Sequence, residues 1–167
     1  MKNPVPVYIA LGTNLGDRVA NLSQAVEHMR EQIEVLVSST IYETPPWGVT
    51  NQPRFLNQVL LGKTLLTPTG LLDFLKEIES RMGRVDSVRF GPRLIDLDIL
   101  LYGRRQVCTN RLKIPHERMH ERAFVLVPLN EIAPGLVMPG TGQRIDLLLQ
   151  ELDTREILPY MNPITEV

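Results

Sequence analysis

The chain has 167 residues, 43% of them hydrophobic and 22% charged, with a formal net charge of −1. That length favours one domain, residues 1–167, with a sizeable core, and the near-neutral balance excludes polyanion binding through bulk charge. A single cysteine, Cys108, excludes an internal disulfide framework, and no apolar run approaches a membrane span, so we expect a cytoplasmic protein with no membrane or nucleic-acid partner.

Val5 to Leu11 reads as a first strand, followed by a turn over Gly12-Thr-Asn-Leu-Gly16. Asp17 is suited to cap a helix, and Val19, Leu22, Val26, Met29 and Ile33 recur at helical spacing to about Gln32. The glycine-rich turn lacks the Lys-Ser/Thr ending of a P-loop, so it is read as structural and assigned no direct chemistry. Glu34 to Tyr42 is the second expected strand, ended by Pro45-Pro46, and Thr44 to Asn51 is a loop that exposes Trp47. Phe55 to Leu66 is the third, pairing with the second as an irregular hairpin. Its Phe55, Asn57, Val59 and Leu61 share one face. Asn57 among apolar neighbours is either an edge amide or a ligand reader.

Thr67-Pro68 starts a second helix, with a stripe at Leu71, Leu75, Ile78 and Met82 and an end at Gly83. After a polar loop, Gly91-Pro92 turns the chain into an apolar run. On strand alternation, Ile95, Leu97, Ile99 and Leu101 share one face, and Leu94, Asp96, Asp98, Leu100 and Tyr102 the other. Two carboxylates, on Cα atoms about 6.6 Å apart, therefore lie on one face of a strand apolar enough to be buried. Such a pair needs a cation between its members, and paired carboxylates suit Mg²⁺ bound with water and phosphate oxygens; the alternative is a solvated edge strand. Between Arg81 and Arg122 ten basic residues face five acidic ones, which makes this segment the docking place for an anionic ligand. Ala123 to Leu129 is expected to pack near the sheet, Ile145, Leu149 and Leu152 to form a late helix, and the tail after Asp153 to be poorly ordered.

The order strand, helix, strand, strand, helix, strand is the split βαβ pattern of the ferredoxin-like fold. We therefore expect an α+β protein with a βαββαβ core, an antiparallel sheet carrying helices on one face, and a C-terminal extension. His116-Glu117-Arg118-Met119-His120 matches H-E-x-x-H, but Pro115 precedes it, Pro128 follows, and no third ligand stands out, so zinc catalysis is not expected.

Gly91-Pro-Arg-Leu-Ile-Asp-Leu-Asp-Ile-Leu100 closely resembles the signature of the 6-hydroxymethyl-7,8-dihydropterin pyrophosphokinases of folate biosynthesis. The resemblance extends to Ile9–Gly16, Tyr42–Gly48, Gln52–Asn57, Ile78–Arg84, Pro115-His116 and Arg122 to Pro134. It implies transfer of pyrophosphate from ATP to the hydroxymethyl oxygen of a reduced pterin, with release of AMP. It also implies that Asp96 and Asp98 hold two Mg²⁺ ions, and that Arg84 and Arg93 close over the phosphates as the other catalytic residues. Thr44, Pro45, Trp47, Phe55, Asn57 and Phe124 match the pterin pocket. Lys76, Glu79, Arg84, Arg93, Arg111, Lys113, His116 and Arg122 match positions around the nucleotide. The expected partners are these small molecules, and the expected state is a monomer. Against the family pattern the loop from Arg84 to Phe90 is one residue shorter. Phe90 replaces a tryptophan, Lys76 a polar amide, and Glu117 stands where an aromatic can occur. Two other readings are another metal-dependent phosphoryl or nucleotidyl transferase, and a ligand-binding ferredoxin-like module without catalysis.

Overall fold

A computed structural model describes residues 2–83 and 90–160. The elements are β1 (Val5–Thr13), α1 (Arg18–Met29), β2 (Ile33–Ser38), β3 (Tyr42–Thr44), β4 (Phe55–Thr64), α2 (Pro68–Arg81) and β5 (Asp96–Tyr102). A short ribbon, β6 (Val107–Cys108) and β7 (Lys113–Ile114), follows, then α3 (Ala123–Ile132), α4 (Ile145–Gln150) and β8 (Leu158–Pro159). The main sheet is antiparallel and runs β5, β1, β4, β3, β8, with β2 paired to β4 beyond β3's stretch of it. This is the expected α+β, ferredoxin-like arrangement.

The caps follow local chemistry. The Asp17 carboxylate accepts from the Ala20 amide at 3.1 Å, and the Thr67 hydroxyl from the Gly70 amide at 3.1 Å, with Pro68 at the first helical position. Helix α1 ends at Met29, short of Gln32, because the Glu31 and Gln32 amides turn back to His28 and Met29 in tight turns that lead into β2. Gly83 follows α2 with φ +87°, a value glycine adopts without strain.

Three expectations are corrected. The second strand is not continuous from Glu34 to Tyr42 but splits into β2 and β3. Buried Ser39 replaces a ladder position: its amide donates to the Val59 carbonyl at 2.8 Å, and its hydroxyl accepts from the Val59 amide at 3.0 Å. The alternation along β5 also fails midway. The β1–β5 register slips between Tyr8 and Ile9, so Leu100 is an extra residue. Leu101 therefore joins Leu100 in the core under α3, and Tyr102 turns into the core under α1 and α2. The chain after Asp153 is not loose up to Tyr160: β8 pairs with β3, and the Tyr160 amide donates to the Ile41 carbonyl at 2.8 Å.

Two cores sandwich the sheet. Val7, Ile9 and Leu11 of β1 and Leu56 and Leu60 of β4 pack on Leu22, Ala25 and Met29 of α1 and on Leu71, Leu75 and Ile78 of α2. Among the described residues the other face is only partly covered. There Val59, Leu100 and Leu101 pack on Val125, Leu126 and Leu129 of α3 and Ile145 of α4. The end of that face that the described residues leave uncovered holds the candidate site.

Candidate active site

On the open face β1 presents Tyr8, Ala10 and Gly12, side chains that shrink towards the uncovered end. Gly12 pairs with Asn57 of β4 on one side and Asp96 of β5 on the other, and Ala10 pairs with Val59 and Asp98. One row across three strands thus carries an amide, a gap and a carboxylate. A Cβ on Gly12 would stand 3.1 Å from the Asn57 Oδ1, so the gap is glycine's contribution.

Over this row lies a cavity of about 290 Å³, room for one flat bicyclic ring. Thr44, Pro45, Trp47, Phe55, Asn57 and Phe124 all line it, with Arg93, Asp96, Asp98, His116 and Arg122. Asn57 is 8% exposed and donates through Nδ2 to the Thr44 hydroxyl at 2.6 Å. That bond fixes the amide and leaves its carbonyl oxygen beside Gly12. Trp47 meets Phe124 edge-on, with ring centroids 5.9 Å apart.

A second cavity, about 430 Å³, lies beyond the aspartates. It is lined by Lys76, Arg111, Lys113 and Arg118 together with Phe90, Asp98, His116 and Arg122, and these last four line the first cavity as well. The two spaces therefore meet at one aromatic, one acidic and two nitrogenous side chains. Arg111 pairs with Asp73 at 2.6 Å and Lys113 with Glu117 at 3.0 Å on the rim. Glu79, 3% exposed on α2, is 3.7 Å from Lys76 and lines neither cavity. Arg84 lies outside the described residues.

Burial above all, then the neighbouring Arg122, pulls the His116 pKa down to about 4, so the imidazole is neutral at pH 7. Its Nδ1 accepts from the Arg118 amide at 3.2 Å, which leaves the proton on Nε2. Burial is also the main influence on Arg122 and lowers its pKa, with Asp98 opposing. Among the described residues the buried Arg122 Nε has no hydrogen-bond partner, a donor placed for an anion. The H-E-x-x-H match does not form a zinc helix. His120 sits in a 3₁₀ turn, Met119–Glu121, and among the described residues no three His, Cys, Asp or Glu side chains cluster as a metal site.

The family model described as 7,8-dihydro-6-hydroxymethylpterin-pyrophosphokinase (HPPK) matches residues 8–134. The chain belongs to that family. It is 51% identical over 139 residues to the 2-amino-4-hydroxy-6-hydroxymethyldihydropteridine pyrophosphokinase of Methylorubrum extorquens, covering 82% of this chain and 88% of that one. The Bacillus subtilis protein of the same name is 46% identical over 141 residues, covering 83% and 84%. The mitochondrial folate synthesis bifunctional protein of Pisum sativum is 50% identical over 127 residues, and there the match spans 75% of this chain and 25% of the relative. Among solved structures, the HPPK-DHPS of Plasmodium falciparum, wild type with pteroate, superposes with a TM-score of 0.73 at 16% identity, over 90% of this chain and 43% of that one. That likeness is one of fold.

Within this HPPK chain the glycine-rich turn organises the loops around the site. Asn14, 2% exposed, donates through Nδ2 to the Gln52 Oε1 at 3.0 Å and the Pro53 carbonyl at 2.9 Å. Its Oδ1 accepts from the Arg93 amide at 2.8 Å, and its own amide donates to the Arg93 carbonyl at 3.0 Å. Gln52 Nε2 donates to the carbonyls of Phe90, at 2.7 Å, and Val49, at 2.6 Å. Phe90, at φ 59°, packs so close to Gly48 that a Cβ there would meet its ring at 3.1 Å, and Arg118 lies 5.4 Å from the ring centroid. Sequence reasoning missed Asn14 and Gln52, which hold the loops at the cavities, and Arg118, which lines the second cavity, and treated Phe90 only as a departure. The signal available was a short polar residue inside a glycine turn, which marks a buried amide with obligatory hydrogen bonds.

Proposed function

We propose that this chain transfers the pyrophosphoryl group of ATP to the hydroxymethyl oxygen of 6-hydroxymethyl-7,8-dihydropterin in an Mg²⁺-dependent reaction that releases AMP. Membership of the HPPK family makes it a pyrophosphokinase of folate biosynthesis; ATP, the ion and the residue roles are our reading. The observation that supports it most is the meeting of an aromatic slot and a basic cleft at Asp98, His116 and Arg122.

The flat ring fits the slot among Phe55, Trp47 and Phe124, where the Asn57 carbonyl accepts from a ring N–H and its amide is held by Thr44. The triphosphate fits the second cavity, against Arg111, Lys113 and Arg122, with His116 donating from Nε2 to a phosphate oxygen. Lys76 stands on that cavity's wall, near the expected base, while Arg93, on the turn that Asn14 holds, lines the first cavity beside the aspartates and is assigned to the phosphates on resemblance. Arg84 and Glu79 are retained in the nucleotide set on resemblance alone. Asp96 and Asp98 suit two Mg²⁺ ions. They are half-buried on one face, a glycine and an alanine beside them leave room, and two carboxylates with water and phosphate oxygens form the shell Mg²⁺ prefers. When bound, such ions neutralise charge on the attacking and leaving oxygens and ease loss of the hydroxyl proton. The chain's own side chains then align the pterin oxygen with the β-phosphorus, exclude water and form no covalent intermediate.

No helix among the described residues is long and apolar enough to cross a membrane. We keep a cytoplasmic monomer in the proposal. The test is to incubate the protein with ATP, Mg²⁺ and the hydroxymethyl pterin and to identify the nucleotide released. AMP in proportion to pterin diphosphate is expected, and ADP would refute the reading.

A further inference from the structure

Glu131 stands in the last turn of α3, where a carboxylate opposes the helix dipole. It is exposed, yet its oxygens are committed. They accept from the Thr40 amide at 3.0 and 3.2 Å, from the Thr40 hydroxyl at 2.7 Å and from the Tyr42 hydroxyl at 2.7 Å. Thr40 lies in the break between β2 and β3, just past the point where Ser39 takes over the ladder to Val59. Glu131 thus fastens α3 to the start of β3.

Both joined elements build the heterocycle slot. Tyr42 pairs with Asn57, and Thr44, two residues further along the same face, accepts the Asn57 amide bond. At the other end of α3, seven residues and about 10 Å from Glu131, Phe124 forms the facing wall. On the opposite side of the sheet Glu43 pairs with Arg18 of α1 at 2.9 Å. A three-residue strand is therefore held from both faces, and on the site face Glu131 ties it to α3 while Asn57 ties it to β4.

We infer that Glu131, with Tyr42 and Thr40 as its partners, is a positioning residue for pterin binding: it sets the spacing between the Asn57–Thr44 wall and the Phe124 wall. The inference rests on the proposed reaction for the identity of the ligand. Burial would raise the Glu131 pKa, but the hydrogen bonds from Thr40 and Tyr42 outweigh it and hold the carboxylate ionised. Surface bonds of this kind add little to global stability, so their removal is expected to appear in ligand binding rather than in melting.

The test is calorimetric titration of the hydroxymethyl pterin in the presence of Mg²⁺ and a non-hydrolysable ATP analogue, with nucleotide affinity and Tm measured in parallel. Glu131→Ala removes the bonds from three donors and is expected to weaken pterin binding about 5- to 20-fold, the net worth of roughly one to two hydrogen bonds, with nucleotide affinity within twofold and Tm nearly unchanged. Tyr42→Phe, which keeps the ring and removes one bond, is expected to lose about 2- to 4-fold, and Glu131→Gln to fall between. Wild-type pterin affinity in a folded Glu131→Ala, or equal losses for both ligands, would overturn the inference. A wild-type protein that binds neither ligand would overturn the proposed reaction and this inference together. A wild type that binds both, beside an unaffected variant, sinks the inference alone.

Discussion

The two faces of the sheet are made by the same strands and differ in how far their covering extends. Under α1 and α2 the alternating residues of β1, Val7, Ile9 and Leu11, are all large and buried. On the other face the same strand offers Tyr8, Ala10 and Gly12, and the flanking positions change from Val59 and Leu100 to Asn57, Asp98 and Asp96 as α3 and α4 give out. The larger core lies on the closed face and the candidate site on the open one, and strand alternation lets one segment serve both.

Four substitutions or conditions would break or sharpen that contrast. Asp98→Ala should lower turnover by about a thousandfold, the scale of losing a transition-state charge partner, while circular dichroism and Tm stay near wild type. Turnover within tenfold would contradict it. Leu75→Ala, wholly buried under the closed face, should do the reverse. It should cost about 2–5 kcal/mol of folding free energy, read by urea denaturation, with kcat preserved in the protein that remains folded. Gly12→Val fills the gap beside Asn57 and should weaken pterin binding by about 10- to 100-fold, roughly one or two buried contacts. Nucleotide affinity should change much less in the same titration.

The smallest effect concerns pH. His116 titrates at about 4 in the fold against 6.5 in its absence, so the unfolded chain binds the proton more tightly. Stability should therefore rise with pH between about 4 and 6.5 and level off above. Over that window Tm should fall less on acidification for His116→Asn than for the wild type.

Much of this was legible in the sequence because it rests on local rules. Helix caps at Asp17 and Thr67 declare themselves by residue type, and two aspartates at spacing two on an apolar strand can only face the same way. The break at Ser39 and the bulge at Leu100 were not legible, since each depends on the register with a partner strand. The same holds for β8, whose two residues carry no strand signal and pair only because β3 presents a free edge. In the site, resemblance named the slot residues, but Asn14 and Gln52 look like ordinary turn residues until Phe90 and Arg93 are brought beside them. Glu79 is the opposite case, matched by resemblance yet placed under Lys76 and away from both cavities.

The most direct test of the central claim is a crystal structure grown with Mn²⁺ and a non-hydrolysable ATP analogue, read by its anomalous signal. The account predicts metal peaks held by Asp96 and Asp98 between the triphosphate and the aromatic slot. Nucleotide bound with no metal at those two carboxylates would contradict it.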